Sequence, residues 1–265
     1  MKARVIGGLV LLVAGVGLPY AALSKSGAPW EFKDRLAVVT EAVGSVELRS
    51  SAGEVRPALA RGDALRHAEE FRVGALSRLG VVSRQRAQVA FSDATRGTFD
   101  ADVLRIERGW IQATVEDEPL SVRIPVLEAD LKLEKGQHVL VFDGAERLEL
   151  RVIKGVAKAS VEGSAWSPGS AGSLLRIGRG ESPVWGAPDG PLRCAATCRR
   201  MGARVAVEGT ARAGVQVFIN GRPTFTDKEG KFRQSLPMSK SEKNVTIFGR
   251  DASGNVCRSL ANCGG

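Results

Sequence analysis

Histidine and tyrosine are scarce in this sequence, and cysteine is missing from its first 193 residues. Tyr20 is the single tyrosine, and His67 and His138 are the only histidines. Two imidazoles leave little for general acid–base chemistry. No Gly-x-Ser-x-Gly elbow, phosphate-cradling Gly-Lys-Ser/Thr loop or His-Glu-x-x-His metal motif occurs. His138 lies in an alternating run and reads as a sheet residue, and His67, near Glu69 and Glu70, reads as part of a charged turn. Asp100 with Asp102, and Glu116-Asp117-Glu118, lack the ligand spacing of a cation loop and read as solvated turns. The expectation is a protein that is not an enzyme and uses no cofactor and no metal. Aromatic residues make up 5% of the chain, so stacking platforms are few. Of the four tryptophans, Trp110 reads as core, while Trp166 and Trp185 lie in Gly/Pro-rich sequence and are the candidates for an exposed contact. Helical periodicity is also lacking beyond residue 24, where the nearest candidate, 65–71, is short.

One long apolar run is present, at the start. Lys2 and Arg4 precede uncharged, mostly apolar residues 5–23, the n-region and h-region pattern of an export signal. Pro19 and the small-x-small sequence Ala22-Leu23-Ser24 fit a cleaved signal peptide. An uncleaved helical anchor fits equally, because these residues at about 1.5 Å each just span a ~30 Å hydrocarbon core. No cysteine follows closely, which excludes a lipid-anchored cysteine. Residues 25–36 read as a polar tether.

From residue 37 the pattern is period-two alternation in short segments, at 43–48, 88–91, 103–106, 110–115, 120–124, 131–133, 138–142 and 148–153. Turn signals separate them: Ser51-Ala52-Gly53, Arg61-Gly62-Asp63, Glu134-Lys135-Gly136 and Asp143-Gly144. Such punctuation predicts an all-β fold, a sandwich or roll, over 37–181. Residues 182–203 read as a linker. A second module over 204–263 alternates at 205–207, 215–219, 232–236 and 245–248, with Asn220-Gly221 as a strong hairpin signal. Its length suits a small immunoglobulin-like β sandwich.

The net charge of +9 is uneven. Residues 25–150 hold 18 basic and 21 acidic groups, residues 151–204 hold 9 and 3, and residues 205–265 hold 9 and 5. Outside the cytoplasm, a basic C-terminal half points to an anionic lipid or envelope polymer rather than nucleic acid. The four cysteines, Cys194, Cys198, Cys257 and Cys263, are even in number and read as disulfides in an exported chain. The competing zinc reading would use tighter ligand pairs. Bridges tying the entry of the last module to its exit, and local loops pairing 194 with 198 and 257 with 263, are both open.

A family resemblance accompanies these patterns. Over 40–181 the carrying residues are Gly44-Ser45-Val46, Leu59-x-x-Gly62-Asp63-x-Leu65 and Leu104-x-Ile106-x-x-Gly109-Trp110-Ile111. They continue with Val122-x-Ile124-Pro125-Val126-x-x-Ala129, Leu150-x-Val152-x-x-Gly155-Val156-Ala157 and Leu175-x-x-Gly178-x-Gly180-Glu181. In this spacing the stretch resembles a FecR domain, a periplasmic β module of bacterial regulators, although Glu134-Lys135-Gly136-Gln137 replaces the family's usual Arg-Gly-Thr turn. Residues 204–258 are similar to bacterial immunoglobulin-like or carboxypeptidase-regulatory-like repeats, through Val207-x-Gly209, Gly214-x-x-Val217-x-Ile219-Asn220-Gly221, Asp227-x-x-Gly230-x-Phe232 and Asp251-x-x-Gly254-Asn255. The resemblance implies a periplasmic or inner-membrane-anchored protein that works by binding, as a sensor or regulatory adaptor. Family regulators control a sigma factor through a cytoplasmic helical domain; with Met1–Arg4 alone ahead of the apolar run, none is expected here. The expected partner is therefore an envelope protein or, as the alternative, an anionic envelope polymer on which a structural or adhesion module docks.

Overall fold

Alternating side chains dominate the sequence from residue 37, and the computed structural model turns nearly all of that alternation into strand. It describes residues 35–56, 59–227, 229–239 and 241–264. The expected N-terminal helix, the signal or anchor and most of the tether fall outside the described residues. Among the described residues no helix is long and apolar enough to cross a membrane.

Among the described residues, fourteen strands build one large sheet: β1 Ala37–Val43, β2 Val46–Arg49, β3 Val55–Arg56, β4 Ala64–Leu65, β5 Glu70–Val73, β6 Arg78–Ser83, β7 Gln88–Asp100, β8 Val103–Val115, β9 Leu120–Ile124, β10 Ala129–Phe142, β11 Arg147–Val161, β12 Ser167–Ser170, β13 Leu174–Gly178 and β14 Val184–Gly186. Neighbours pair antiparallel, except that the start of β8 runs parallel to β9. The sheet curls on itself because its long strands change partner midway. The first half of β10 lies against β9 (Ala129 opposite Ile124), and the second half lies against β8 (Phe142 opposite Gly109). One continuous core results, from Leu48, Phe71, Phe91 and Phe99 to Leu131, Leu140, Phe142 and Leu150.

Three expectations are corrected here. Glu134-Lys135-Gly136 is not a turn but a bulge inside β10, where the register against β11 shifts between Leu133 and Gly136. The positions in the main core change phase across it, from 129, 131 and 133 to 140 and 142, while 139 and 141 are buried on the opposite face. That phase slip, as at a β-bulge, makes one strand look like two. Gly136 (φ 150°) and Gly155 (φ 84°) meet at this crossing; a Cβ on the first would run into the Lys154 carbonyl, and on the second into that of Lys135. The segments 103–106 and 110–115 likewise fuse into β8, re-phased at Glu107, where the register against β7 shifts, and a Cβ on Gly109 would run into Thr95. The segment 43–48, read as one run, is instead broken at Gly44 (φ 79°) into the end of β1 and the start of β2.

The C-terminal strands form a sandwich. One sheet holds β15 Ala195–Met201, β16 Arg204–Thr210 and β19 Lys231–Pro237. The other holds β17 Gln216–Ile219, β18 Arg222–Phe225, β20 Asn244–Arg250 and β21 Val256–Asn262. Between them pack Val205, Val207, Val217, Ile219, Phe232, Leu236, Val245 and Ile247. Asn220 (φ 48°) and Gly221 (φ 78°) join Ile219 to Arg222 as a two-residue hairpin with both central φ positive, the geometry the Asn-Gly signal demands. The stretch 182–203, read as linker, contains β14 and β15. Strand β15 escapes detection because it lies at a sheet edge, with small Ala196 and Cys198 on its inner side and Thr197, Arg199 and Met201 exposed.

Candidate interaction surfaces

Cys194 pairs with Cys257 and Cys198 with Cys263, with Cα separations of 5.8 and 4.8 Å. Of the two open pairings, the entry-to-exit arrangement is present. The bridges lace β15 to β21, the outermost strands of the two facing sheets, across a seam that carries no ladder between them. Disulfides persist in oxidising compartments, so they point to an extracytoplasmic chain.

Trp110 is buried, but on the opposite face of the large sheet from the main core. With Val139, Val141 and Leu174 it makes a small cluster that meets Ala252 and Phe225 of the sandwich. Arg250 of β20 is laid over this seam. Its guanidinium carbon sits 4.2 Å from the Trp110 ring centre and 5.1 Å from that of Phe218. It donates to Gln216 Oε1 (2.9 Å), Ser92 Oγ (3.1 Å) and Asp93 Oδ2 (3.3 Å). Gln216 in turn donates to the Asp93 carbonyl oxygen at 3.0 Å. Burial pushes the Asp93 carboxyl upward, against the opposing pull of Arg250 and the N–H groups of Leu76 and Ser77. Burial also lowers Arg250 to about 10, against the attraction of Asp93. Both partners thus move toward neutrality, the mark of a buried pair whose desolvation exceeds its mutual attraction. At about 10 the guanidinium is still charged at neutral pH.

A second chain of charges crosses the same seam. Arg147 and Arg176 reach buried Glu149 (3.4 and 3.7 Å), Arg176 and Arg212 share Asp189, and Arg212 reaches fully buried Asp251. Burial raises the Glu149 carboxyl, with Arg147, Arg176 and Arg212 opposing. The charges alternate along this chain and it is internally compensated, so it fastens the sandwich to the sheet rather than offering itself to a ligand.

The two tryptophan candidates separate. Trp185 is half-buried against the large core, its ring lies over Gly169, and its Nε1 donates to the Ser167 carbonyl at 3.2 Å. It therefore closes the end of the sheet and is not a free platform. Trp166 is 41% exposed, and the Lys132 ammonium lies 4.6 Å from its ring centre. Lys132 belongs to an outward row, Ser121–Lys132–Lys158–Pro168, running across β9, β10, β11 and β12. Arg123 pairs with Asp130 at 3.5 Å and Lys158 with Glu134 at 2.6 Å on the same face. The sequence named Trp166 but not these neighbours, because a cross-strand row is composed only when register is set.

The histidines take structural places. His138 is 2% exposed in β10 and shares a hydrogen bond with the Glu134 carbonyl at 2.8 Å, and burial lowers its basicity. His67 sits 3.2 Å from Asp100 rather than against Glu69 or Glu70, and accepts from the Ala101 N–H. Among the described residues no group of three potential metal ligands gathers.

No family model matches the chain, and no curated protein matches it. Among solved structures, two crystal structures of a candidate anti-sigma factor from Parabacteroides distasonis are similar to it, at 18% and 17% identity and a TM-score of 0.38 each. Each match covers 45% of this chain, which spans 60% of the length of that one.

Proposed function

We propose that this chain is a non-catalytic, FecR-like protein of the cell envelope that acts by binding, as a sensor or regulatory adaptor outside the cytoplasm. The observation that carries the reading is the way the two β units are joined. The sandwich is laced by two disulfides and bolted to the large sheet through Arg250 and the Glu149–Asp189–Asp251 charge chain. A joint with this many buried charges is costly to form and expensive to break. It holds two surfaces in a fixed relation, which an adaptor between two envelope components requires. The residue spacing over 40–181 supports the FecR-like part of the reading, and the disulfides support the compartment.

The test is crosslinking and capture of the native protein from membranes, with thiol labelling of intact cells alongside. The reading expects an envelope protein among the direct crosslinks and no labelling of the four cysteines before reduction. Labelled free thiols together with solely cytosolic partners would overturn it.

A further inference from the structure

The outward face around Trp166 has a composition that selects among ligands. Residues Asp130, Lys132 and Glu134 alternate on the solvent side of β10, opposite Leu131 and Leu133 in the core. Register places Arg123 beside Asp130 and Lys158 beside Lys132. Two of the three cations here are matched to carboxylates, Arg123 to Asp130 and Lys158 to Glu134. The third, Lys132, is held over the indole instead. Strands stand about 4.8 Å apart, so donors and acceptors repeat at roughly the length of one pyranose ring, with one exposed aromatic ring at the margin.

We propose that this face binds a glycan chain made of pyranose rings that carry carboxylates. Trp166 supplies a stacking surface for the apolar side of one ring. Asp130 and Glu134 accept hydrogen bonds from hydroxyls, Arg123 and Lys158 donate to them, and Lys132 meets the carboxylate. Charge decides against the competitors. A phosphate-rich strand or surface presents anionic oxygens where Asp130 and Glu134 need hydroxyl donors, and a polyphosphate site would not spend two of three cations on internal pairs. A bilayer would need more apolar surface than one indole at the margin of a charged face. A polyhydroxylated ligand uses both signs, and a single unmatched cation calls for an anionic rather than a neutral sugar. The inference rests on the binding role proposed above and names a ligand class for it.

The test uses the full chain with disulfides intact and titrates it with oligogalacturonate, a pyranose chain bearing carboxylates, following tryptophan fluorescence and heat. Maltohexaose provides hydroxyls without charge, polyglutamate charge without sugar, and phosphatidylglycerol vesicles an anionic bilayer. Binding of oligogalacturonate at least about tenfold tighter than of the other three is expected, since it alone offers both a ring to stack on Trp166 and a carboxylate to Lys132. Trp166→Ala should weaken it about tenfold and Lys132→Gln several-fold, with Trp166→Phe intermediate. Both positions lie on the surface, so unchanged thermal unfolding should accompany the loss. Equal binding of polyglutamate, preference for vesicles, no binding of oligogalacturonate, or binding indifferent to both substitutions overturns the proposal. Capture with the Trp166→Ala protein separates the two ideas: an envelope protein partner still recovered leaves the adaptor reading standing while the glycan site falls.

Discussion

Replacing Arg250 by methionine should loosen the joint between the sheet and the sandwich by about 3 kcal/mol. Methionine keeps much of the side chain's apolar length, so the change centres on the charge, its hydrogen bonds and the guanidinium's contacts with Trp110 and Phe218. Asp93, with 14% of its side chain exposed, would lose the guanidinium on its Oδ2, and its Oδ1 is already buried without a hydrogen-bond partner. At 3.3 Å the Coulomb term alone is about 5 kcal/mol for an effective dielectric constant near 20. Removing one member of a buried pair costs roughly 3–5 kcal/mol. Residual exposure on both sides, 23% for Arg250 and 14% for Asp93, lets water recover part of that, which sets the lower figure. The cation–π contacts to Trp110 and Phe218 are lost too and keep the effect from falling further. Asp93→Asn in the same background removes the orphaned charge, so the double variant should recover about 2 kcal/mol relative to Arg250→Met alone. The assay is urea unfolding followed by tryptophan fluorescence and by near-ultraviolet circular dichroism. Wild type should unfold in one transition; Arg250→Met should show a lower midpoint, or two transitions if the sandwich remains folded after release. A loss below about 1 kcal/mol, or a double variant as unstable as the sum of the single ones, would refute the view that this pair bolts the units together.

Two further outcomes follow from the same physics. Cys198 and Cys263 are 65 residues apart in sequence, so replacing both with serine should destabilise the sandwich by about 4 kcal/mol on the chain-entropy model, read as a drop in thermal midpoint that reductant no longer affects at that bridge. His138 is held neutral by burial, its folded-state basicity lying below the ordinary value of 6.5. The unfolded chain therefore binds the extra proton first, and this contribution is complete above about pH 6.5 and is lost as pH falls through that value toward the folded-state value. His138→Leu should flatten the decline in unfolding free energy between pH 7 and pH 5, and an unchanged slope would assign that decline to other groups.

Much of the β character is local and therefore legible. Period-two alternation at 120–124 becomes β9 with the same bounds, and Asn220-Gly221 and Asp143-Gly144 turn where their residue types require. Local patterns fail where the backbone itself is irregular. A one-residue slip at Gly136 or Glu107 reverses which residues face the main core, so single strands β10 and β8 read as pairs of segments. They fail again at β15, whose inner side chains are too small to show alternation and whose partner lies across the following turn.

By itself, the sequence determined an all-β chain, the positions of most strands, an even set of late cysteines, and Trp110 as a buried residue. These follow from side-chain polarity along a repeating backbone and from the oxidation chemistry of thiols. Only the tertiary structure decided which cysteines pair, that Trp185 closes the core while Trp166 faces solvent, and that Arg250 lies between Asp93, Trp110 and Phe218. Those facts depend on register and on contacts between residues as far apart as 93 and 250, where a side chain's role is set by neighbours that sequence order does not bring together.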